Sequence, residues 1–211
     1  ACAAESDLGE VAVVMHGSTN DDFCAIHRGT RVRKMHTSRR DAFASIGIPP
    51  LGTVDYTTRS VSLTDVAVRR GTQDLALHDT LEPRCGLVQF YPGMSPDLLS
   101  GYAGFKGLIL SGTGLGHVST ALIPAIKDLI AGGMQVVMTS QCMNGRVCDR
   151  VYDTGRDLIA AGVLEGGDTL AEVALVKQMW VLGNEKDPEK AADLMTRNLK
   201  GECMRRSLHG L

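Results

Sequence analysis

The sequence predicts an α/β protein whose second half is a small, doubly wound parallel-sheet domain. Three observations carry this. "GLVQFY" (86–91), "GLILSG" (107–112) and "MQVVMTS" (134–140) are strand-sized apolar runs lacking the polar alternation of a half-exposed sheet, as in strands covered on both faces. Stretches with helical start and stop signals separate them. No run approaches the roughly 20 apolar residues of a membrane span. The 211 residues suffice for a sizeable core, and 44% hydrophobic with 22% charged residues is ordinary for a globular chain. A net charge of −2 supplies no global pull toward nucleic acid or membranes.

Taken in order, "ACAAESDLGE" reads as the end of an alanine-rich helix with a turn at Asp7–Gly9. "VAVVMH" (11–16) is a β-rich run that ends in the turn-forming cluster "GSTNDD". "FCAIHRGTRVRKMHT" (23–37) predicts a hairpin turning at Arg28–Gly29. In its second arm, strict alternation puts Arg31 and Arg33 outward and Val32 and Lys34 on one inward face, where a lysine needs a partner. Ser38, with Asp41 three residues on, reads as the cap of a helix over "RRDAFASI". A strand pair follows around "TVDYTTRSVSLTD", and a linker over 66–85.

The rhythm then changes. "SPDLLSGYAG" is a short helix between the first two buried strands, and "STALIPAIKDLIAGG" is a helix with a Ser/Thr start and a Gly-Gly stop. "YDTGRDLIAAG" and "TLAEVALVKQMWVLGN" are amphipathic helices, and "DPEKAADLMTRNLKGE" opens with the Asp-Pro of a good helix start.

Several motifs invite chemistry. "GTGLGH" (112–117) lies between a strand and a helix, as a dinucleotide loop would. Its sixth position is His117 where close packing asks for a small residue, and no acidic residue ends the strand "MQVVMTSQ". A Gly-rich turn at the carboxyl end of a parallel strand is still a ligand rim, so Gly114, Gly116 and His117 stand as candidate binding residues. "HTSRRD" offers His, Thr and Ser, but adjacent residues on a strand face opposite ways, which argues against a triad. The five basic residues of 31–40 lack interleaved aromatics and read as a solvated or carboxylate-paired face. The histidines (16, 27, 36, 78, 117 and 209) hold no i,i+4 metal pair, so no metal site is expected. Six scattered cysteines without a C-x-x-C pair, and no signal-peptide pattern in the sequence, lead us to expect a reducing cytoplasm.

"VVMHGSTNDDFCAIHRGTRVRKMHTSRRDAF", "SGTGLGHVSTALIPAIKDLIAGGMQVVMTSQCMNGRV" and "YDTGRDLIAAGVLEGGDTLAEVALVKQMWVLGN" together resemble the L-asparaginase/glutaminase family. The wording "KMHTSRRDAF" and "TSQC" with "GRV" is most similar to its archaeal branch, the D subunits of glutamyl-tRNA(Gln) amidotransferase. The resemblance implies two α/β domains: part of a first one over 1–82, including the linker, and a second, flavodoxin-like one over 83–211. It also implies a homodimer and hydrolysis of the side-chain amide of glutamine or asparagine.

In that family a threonine on an amino-terminal hairpin attacks the amide, supported by a second threonine, an aspartate and a lysine. "V-x-K" at Val32-Arg33-Lys34 matches the lysine's setting, which makes Lys34 the candidate catalytic residue. His117 stands where bacterial relatives carry an asparagine that reaches the neighbouring subunit's site. The nucleophile segments lie upstream of the matched region, so the chain is expected to be the carboxyl-terminal portion of a longer protein. The resemblance further implies an E subunit as partner, which uses ATP and Mg²⁺ and makes most of the tRNA contacts. No cofactor is expected in this chain. Two readings stay beside this one: the carboxyl-terminal part of a free-standing type I asparaginase, and a non-catalytic assembly module.

Overall fold

The computed structural model describes residues 1–72 and 74–207. They form two compact units, 1–77 and 78–207.

The first unit is built almost wholly from antiparallel strands. A short helix α1 (Cys2–Glu5) precedes β1 (Ala12–His16), β2 (Phe23–Arg28), β3 (Val32–Lys34), β4 (Phe43–Ser45), β5 (Gly52–Asp55) and β6 (Val61–Leu63). Four of them make a sheet in the order β1-β2-β5-β6. β1 and β2 are the hairpin that "GSTNDD" closes, with His16 opposite Cys24. Ile26, Leu51 and Ala67 are buried at its core, with Leu8, Val54 and Leu63 packed around them. Arg28 is also buried; its guanidinium grips both carboxylate oxygens of Glu10 at 2.6 and 3.0 Å and the Val66 carbonyl at 2.9 Å.

Three expectations change here. The chain does turn after Arg28, but β3 leaves β2 and pairs instead with β4, in a separate two-stranded ribbon with Lys34 opposite Phe43. "RRDAFASI" therefore contains strand β4 and no helix. The acceptor at the ribbon's turn is His36 Nδ1, which takes the Ser38 and Arg39 amides at 3.1 and 3.0 Å, so Ser38 caps nothing. The facing of the basic residues is reversed as well. Arg31 is 1% exposed, while Lys34 lies exposed with its ammonium 5.9 Å from the Phe43 ring centroid. Alternation would hold only for a strand running through residue 31. The strand starts at Val32, and Arg31 belongs to the turn, its amide donating to the Arg28 carbonyl and its carbonyl accepting from Ile46.

The second unit opens with β7 (Cys85–Gln89), α2 (Asp97–Ser100) and β8 (Gly107–Gly112). A 3₁₀ turn (Thr120–Leu122) leads into α3 (Ile123–Ala131), then β9 (Gln135–Ser140), α4 (Asp153–Ala160) and β10 (Leu164–Glu165). Helices α5 (Ala171–Asn184) and α6 (Pro188–Thr196) close it. The sheet is parallel and runs in chain order, β7-β8-β9-β10. Right-handed crossovers that all step the same way put their helices on the same face. Accordingly Leu99 of α2, Ile123 and Ile126 of α3 and Leu158 of α4 pack with Leu108, Leu110, Val136 and Met138. Ile109 and Val137, out of phase with those by one residue, meet Ala174 and Val181 of α5 and Ala191 and Met195 of α6 on the opposite face. This is why the strand sequences read as continuous apolar runs.

The helix signals hold locally. Asp187 caps α6 by accepting the Glu189 and Lys190 amides at 2.9 and 3.3 Å, with Pro188 at the first position. Gly132 and Gly133 end α3. Residues 78–84 lie along α5, where Trp180 Nε1 donates to the His78 carbonyl at 2.9 Å and Asn184 to that of Thr80 at 2.8 Å. A fully buried ion pair ties α5 to the chain beyond α6: Lys177 Nζ stands 2.7 Å from Glu202 Oε1. Among the described residues no helix is long and apolar enough to cross a membrane, and all six cysteines are free.

Candidate active site

The carboxyl ends of β8, β9 and β10 carry a connected set of polar contacts. β8 runs into the loop Thr113–His117, which closes on itself. The Thr113 amide donates to the His117 carbonyl at 2.9 Å, and the His117 amide returns a 2.9 Å bond to the Thr113 carbonyl. So tight a closure needs Gly112, because a Cβ there would meet the His117 amide and carbonyl at 2.9 Å. The first helical residue comes only at Thr120. The Thr113, Gly116 and His117 amides are therefore spent on carbonyls within the loop and are not offered to a phosphate at a helix start.

β9 braces the loop from one side. Ser140 Oγ donates to the Gly114 carbonyl at 2.6 Å and accepts the Cys142 amide at 3.0 Å. Gln141 Nε2 spans the strand ends, donating to the carbonyls of Phe90 and Ser111 at 2.7 and 2.9 Å. The other brace is the segment 147–154. Its Cys148 amide donates to the Leu115 carbonyl at 2.9 Å, and its Val147 amide to that of Gly167 at 2.9 Å. Thr154 Oγ1 lies 3.4 Å from His117 Nδ1, and the Tyr152 ring meets the His117 imidazole edge-on at 4.9 Å. Among the described residues, His117 Nε2 is buried without a partner.

Of the residues singled out from sequence, Gly114, Gly116 and His117 share this loop. Gly116 sits at φ +110° under Asp149, Met138 and Val147, while Gly114, at φ +53°, faces open space. Lys34 belongs to the first unit, at the end of its ribbon. The sequence reading missed two groups. Asp149 is fully buried under the loop, and Glu165, at the end of β10, accepts the Asp149 amide at 3.0 Å and faces Arg150 at 3.5 Å. Burial, and then the nearby Glu165 charge, push the Asp149 carboxyl up to about 7. Nothing in "RVCDRVY" marks an aspartate as buried when arginines stand on both sides of it. In the first unit His27 is buried with Nδ1 2.8 Å from Ser45 Oγ, and burial lowers its pKa.

Known proteins share this architecture. Residues 84–195 match the model of the glutaminase/asparaginase C-terminal domain, and residues 1–67 that of the asparaginase N-terminal domain. The chain is 54% identical over 204 residues to the D subunit of the glutamyl-tRNA(Gln) amidotransferase of Methanosarcina barkeri, covering 96% of this chain and 48% of that protein. Against the D subunit from Archaeoglobus fulgidus it is 52% identical over 202 residues, covering 95% and 48%. Among solved structures it resembles the thermostable L-asparaginase from Thermococcus kodakarensis, with a TM-score of 0.77 and 33% identity over 85% of this chain and 55% of that one. It also resembles L-asparaginase I from Vibrio cholerae, with a TM-score of 0.74 and 27% identity over the same shares. The chain spans about half the length of the curated relatives it matches.

Proposed function

The chain belongs to the glutaminase/asparaginase family, and from that premise we propose that the whole protein hydrolyses the side-chain amide of glutamine and supplies the ammonia to a tRNA-dependent amidotransferase. One observation carries this reading: almost the whole chain matches the amidotransferase D subunits at more than half identity. On this reading an E-type partner receives the ammonia, uses ATP and Mg²⁺, and converts Glu-tRNA(Gln) to Gln-tRNA(Gln). The protein works as a homodimer in the cytoplasm.

Two parts of the chain enter the chemistry. A hydroxyl nucleophile at its own pKa is weak, and a fixed ammonium makes its alkoxide and the developing oxyanion easier to form. Lys34 is the group assigned to that task; its place at the exposed end of the ribbon leaves the ammonium accessible to a reacting centre. His117, presented by the loop that Gly114 and Gly116 shape, takes the amino-acid end of the substrate, toward the neighbouring subunit.

The runner-up, a free-standing type I asparaginase, draws on the likeness to the solved asparaginases. Ammonia release from glutamine and from asparagine by the whole protein, alone and with a co-purified partner, separates the two. Glutamine turnover that the partner and Glu-tRNA stimulate is the expected result. Partner-independent turnover of asparagine would favour the runner-up, and silence with both amides would overturn both readings.

A further inference from the structure

The second unit holds a carboxyl group that the chemistry above does not use. Asp149 is fully buried, and among the described residues neither of its carboxylate oxygens has a hydrogen-bond partner. It lies against the backbone of the Gly-rich loop. A Cβ built on Gly116 would stand 2.8 Å from Asp149 Oδ1, and 2.9 Å from both Met138 Cγ and Val147 Cγ1. The segment carrying it holds the same loop at three further points: Cys148 to Leu115, and Thr154 and Tyr152 to His117. One segment thus clamps both the turn of the loop and the imidazole at its end.

We propose that Asp149 is a positioning residue: seated as the neutral acid beneath Gly116, it holds segment 147–154 against the Gly-rich loop and so sets the place of His117. The polar groups around it do not compensate a charge. Glu165, on β10, adds negative charge, and its oxygens face the Asp149 amide and Arg150. Arg150 is 80% exposed, and Arg146 donates to the carbonyls of Met204 and Arg205. In the first turn of α4, Asp153 and Arg156 pair with each other, and His117 meets Thr154 through Nδ1 and Tyr152 through its ring edge, its Nε2 having no partner among the described residues. Ionisation therefore places an unpaired charge in a buried seat, and the segment is driven open to reach water.

The direction with pH follows from a folded-state pKa raised from 3.8 to about 7. The seat's contribution is complete below about pH 4. It weakens by up to about tenfold per pH unit until about pH 7, and is constant above that. Any link to catalysis rests on the reading of His117 given under "Proposed function"; the seating of the loop does not.

Hydrogen exchange of the whole protein tests the proposal. Peptides spanning 113–118 and 147–152 are followed at pH 5 and pH 8 in the wild type and in Asp149→Asn, and the ratio at each pH removes intrinsic exchange. Wild-type exchange is expected to accelerate at least about tenfold relative to the variant between the two pH values. Equal ratios at both would overturn the proposal. Asp149→Leu, equally unable to ionise, serves the same comparison if the Asn variant does not fold. KM for glutamine on the same samples separates the two readings. A KM that rises with exchange supports both, whereas faster exchange with a flat KM supports the seating of the loop and removes His117 from substrate binding.

Discussion

Glu202 and Asp149 are two carboxyls at almost the same depth in one unit, 2% and 0% exposed, and their surroundings could hardly differ more. Glu202 meets Lys177 at 2.7 Å and accepts the amides of Leu199 and Lys200 at 2.9 and 2.6 Å. Burial pushes its carboxyl up, but Lys177 and those amides outweigh it and hold the pKa below the usual value. Asp149 has burial and a like charge and nothing to offset them, so its proton stays on toward neutrality. Depth alone does not decide ionisation. The number of donors within reach does, and the two carboxyls consequently respond to pH in opposite senses.

The harshest way to break the contrast is to make Glu202 resemble Asp149. Lys177→Met leaves a buried carboxylate facing no cation and is expected to lower the unfolding free energy by about 3–5 kcal/mol in urea titration. Lys177→Met with Glu202→Leu should recover most of that loss, since two apolar groups need no partner. If the double variant is no more stable than the single one, the loss comes from packing around the Lys177 stem.

A second experiment follows pH. Asp149 has a raised pKa, so its contribution is full in acid and fades as the pH climbs to about 7. Relative to wild type, Asp149→Asn should therefore gain roughly 2–4 kcal/mol of stability between pH 4 and pH 8. Glu202 has a lowered pKa, so its contribution is present above the ordinary carboxylate range and fades as the pH falls through the folded value. Relative to wild type, Glu202→Gln should improve only toward acid pH. Parallel profiles for the two variants would erase the distinction.

The first unit supplies an intermediate case. Arg28 and Glu10 form a two-pronged pair with side chains 10% and 13% exposed. Arg28→Ala is expected to cost about 2 kcal/mol of unfolding free energy, less than the loss at Lys177 because Glu10 keeps some access to water. Lys34, exposed over Phe43, marks the lower limit. Lys34→Ala should change stability by under about 0.5 kcal/mol, yet reduce amide hydrolysis by the whole protein at least about a hundredfold. Near-wild-type turnover in that variant would remove Lys34 from the mechanism.

The same contrast shows what a sequence reveals. The parallel sheet was legible because Leu108, Ile109 and Leu110 leave no polar face, and α6 because Asp187-Pro188 states its own start. The Gly-rich loop was legible as a tight turn from its glycines and its place after β8. Charges were not. Whether Arg31 or Lys34 turns inward depends on where a three-residue strand begins, and a one-residue shift reverses every side chain. The β3–β4 ribbon was hidden because "RRDAFASI" carries as good a helix start as many helices. The Lys177–Glu202 pair joins residues far apart in the chain, and Asp149 looks like any charged loop residue until its carboxyl is seen buried against Gly116.

The chain-order sheet bears on synthesis. A ribosome releases β7, β8 and β9 together with α2 and α3, and these can begin to cover one face of the sheet as they emerge. The other face, with Ile109 and Val137, waits for α5 and α6, the last helices of the unit to leave the exit tunnel. During that interval a nascent sheet carries a bare aliphatic surface, the kind that chaperones bind and that sticks to neighbouring chains. The Lys177–Glu202 bridge, which fastens α5 to the chain beyond α6, can form only at the end of that wait, and works as the clasp that shuts the unit once translation has delivered both sides.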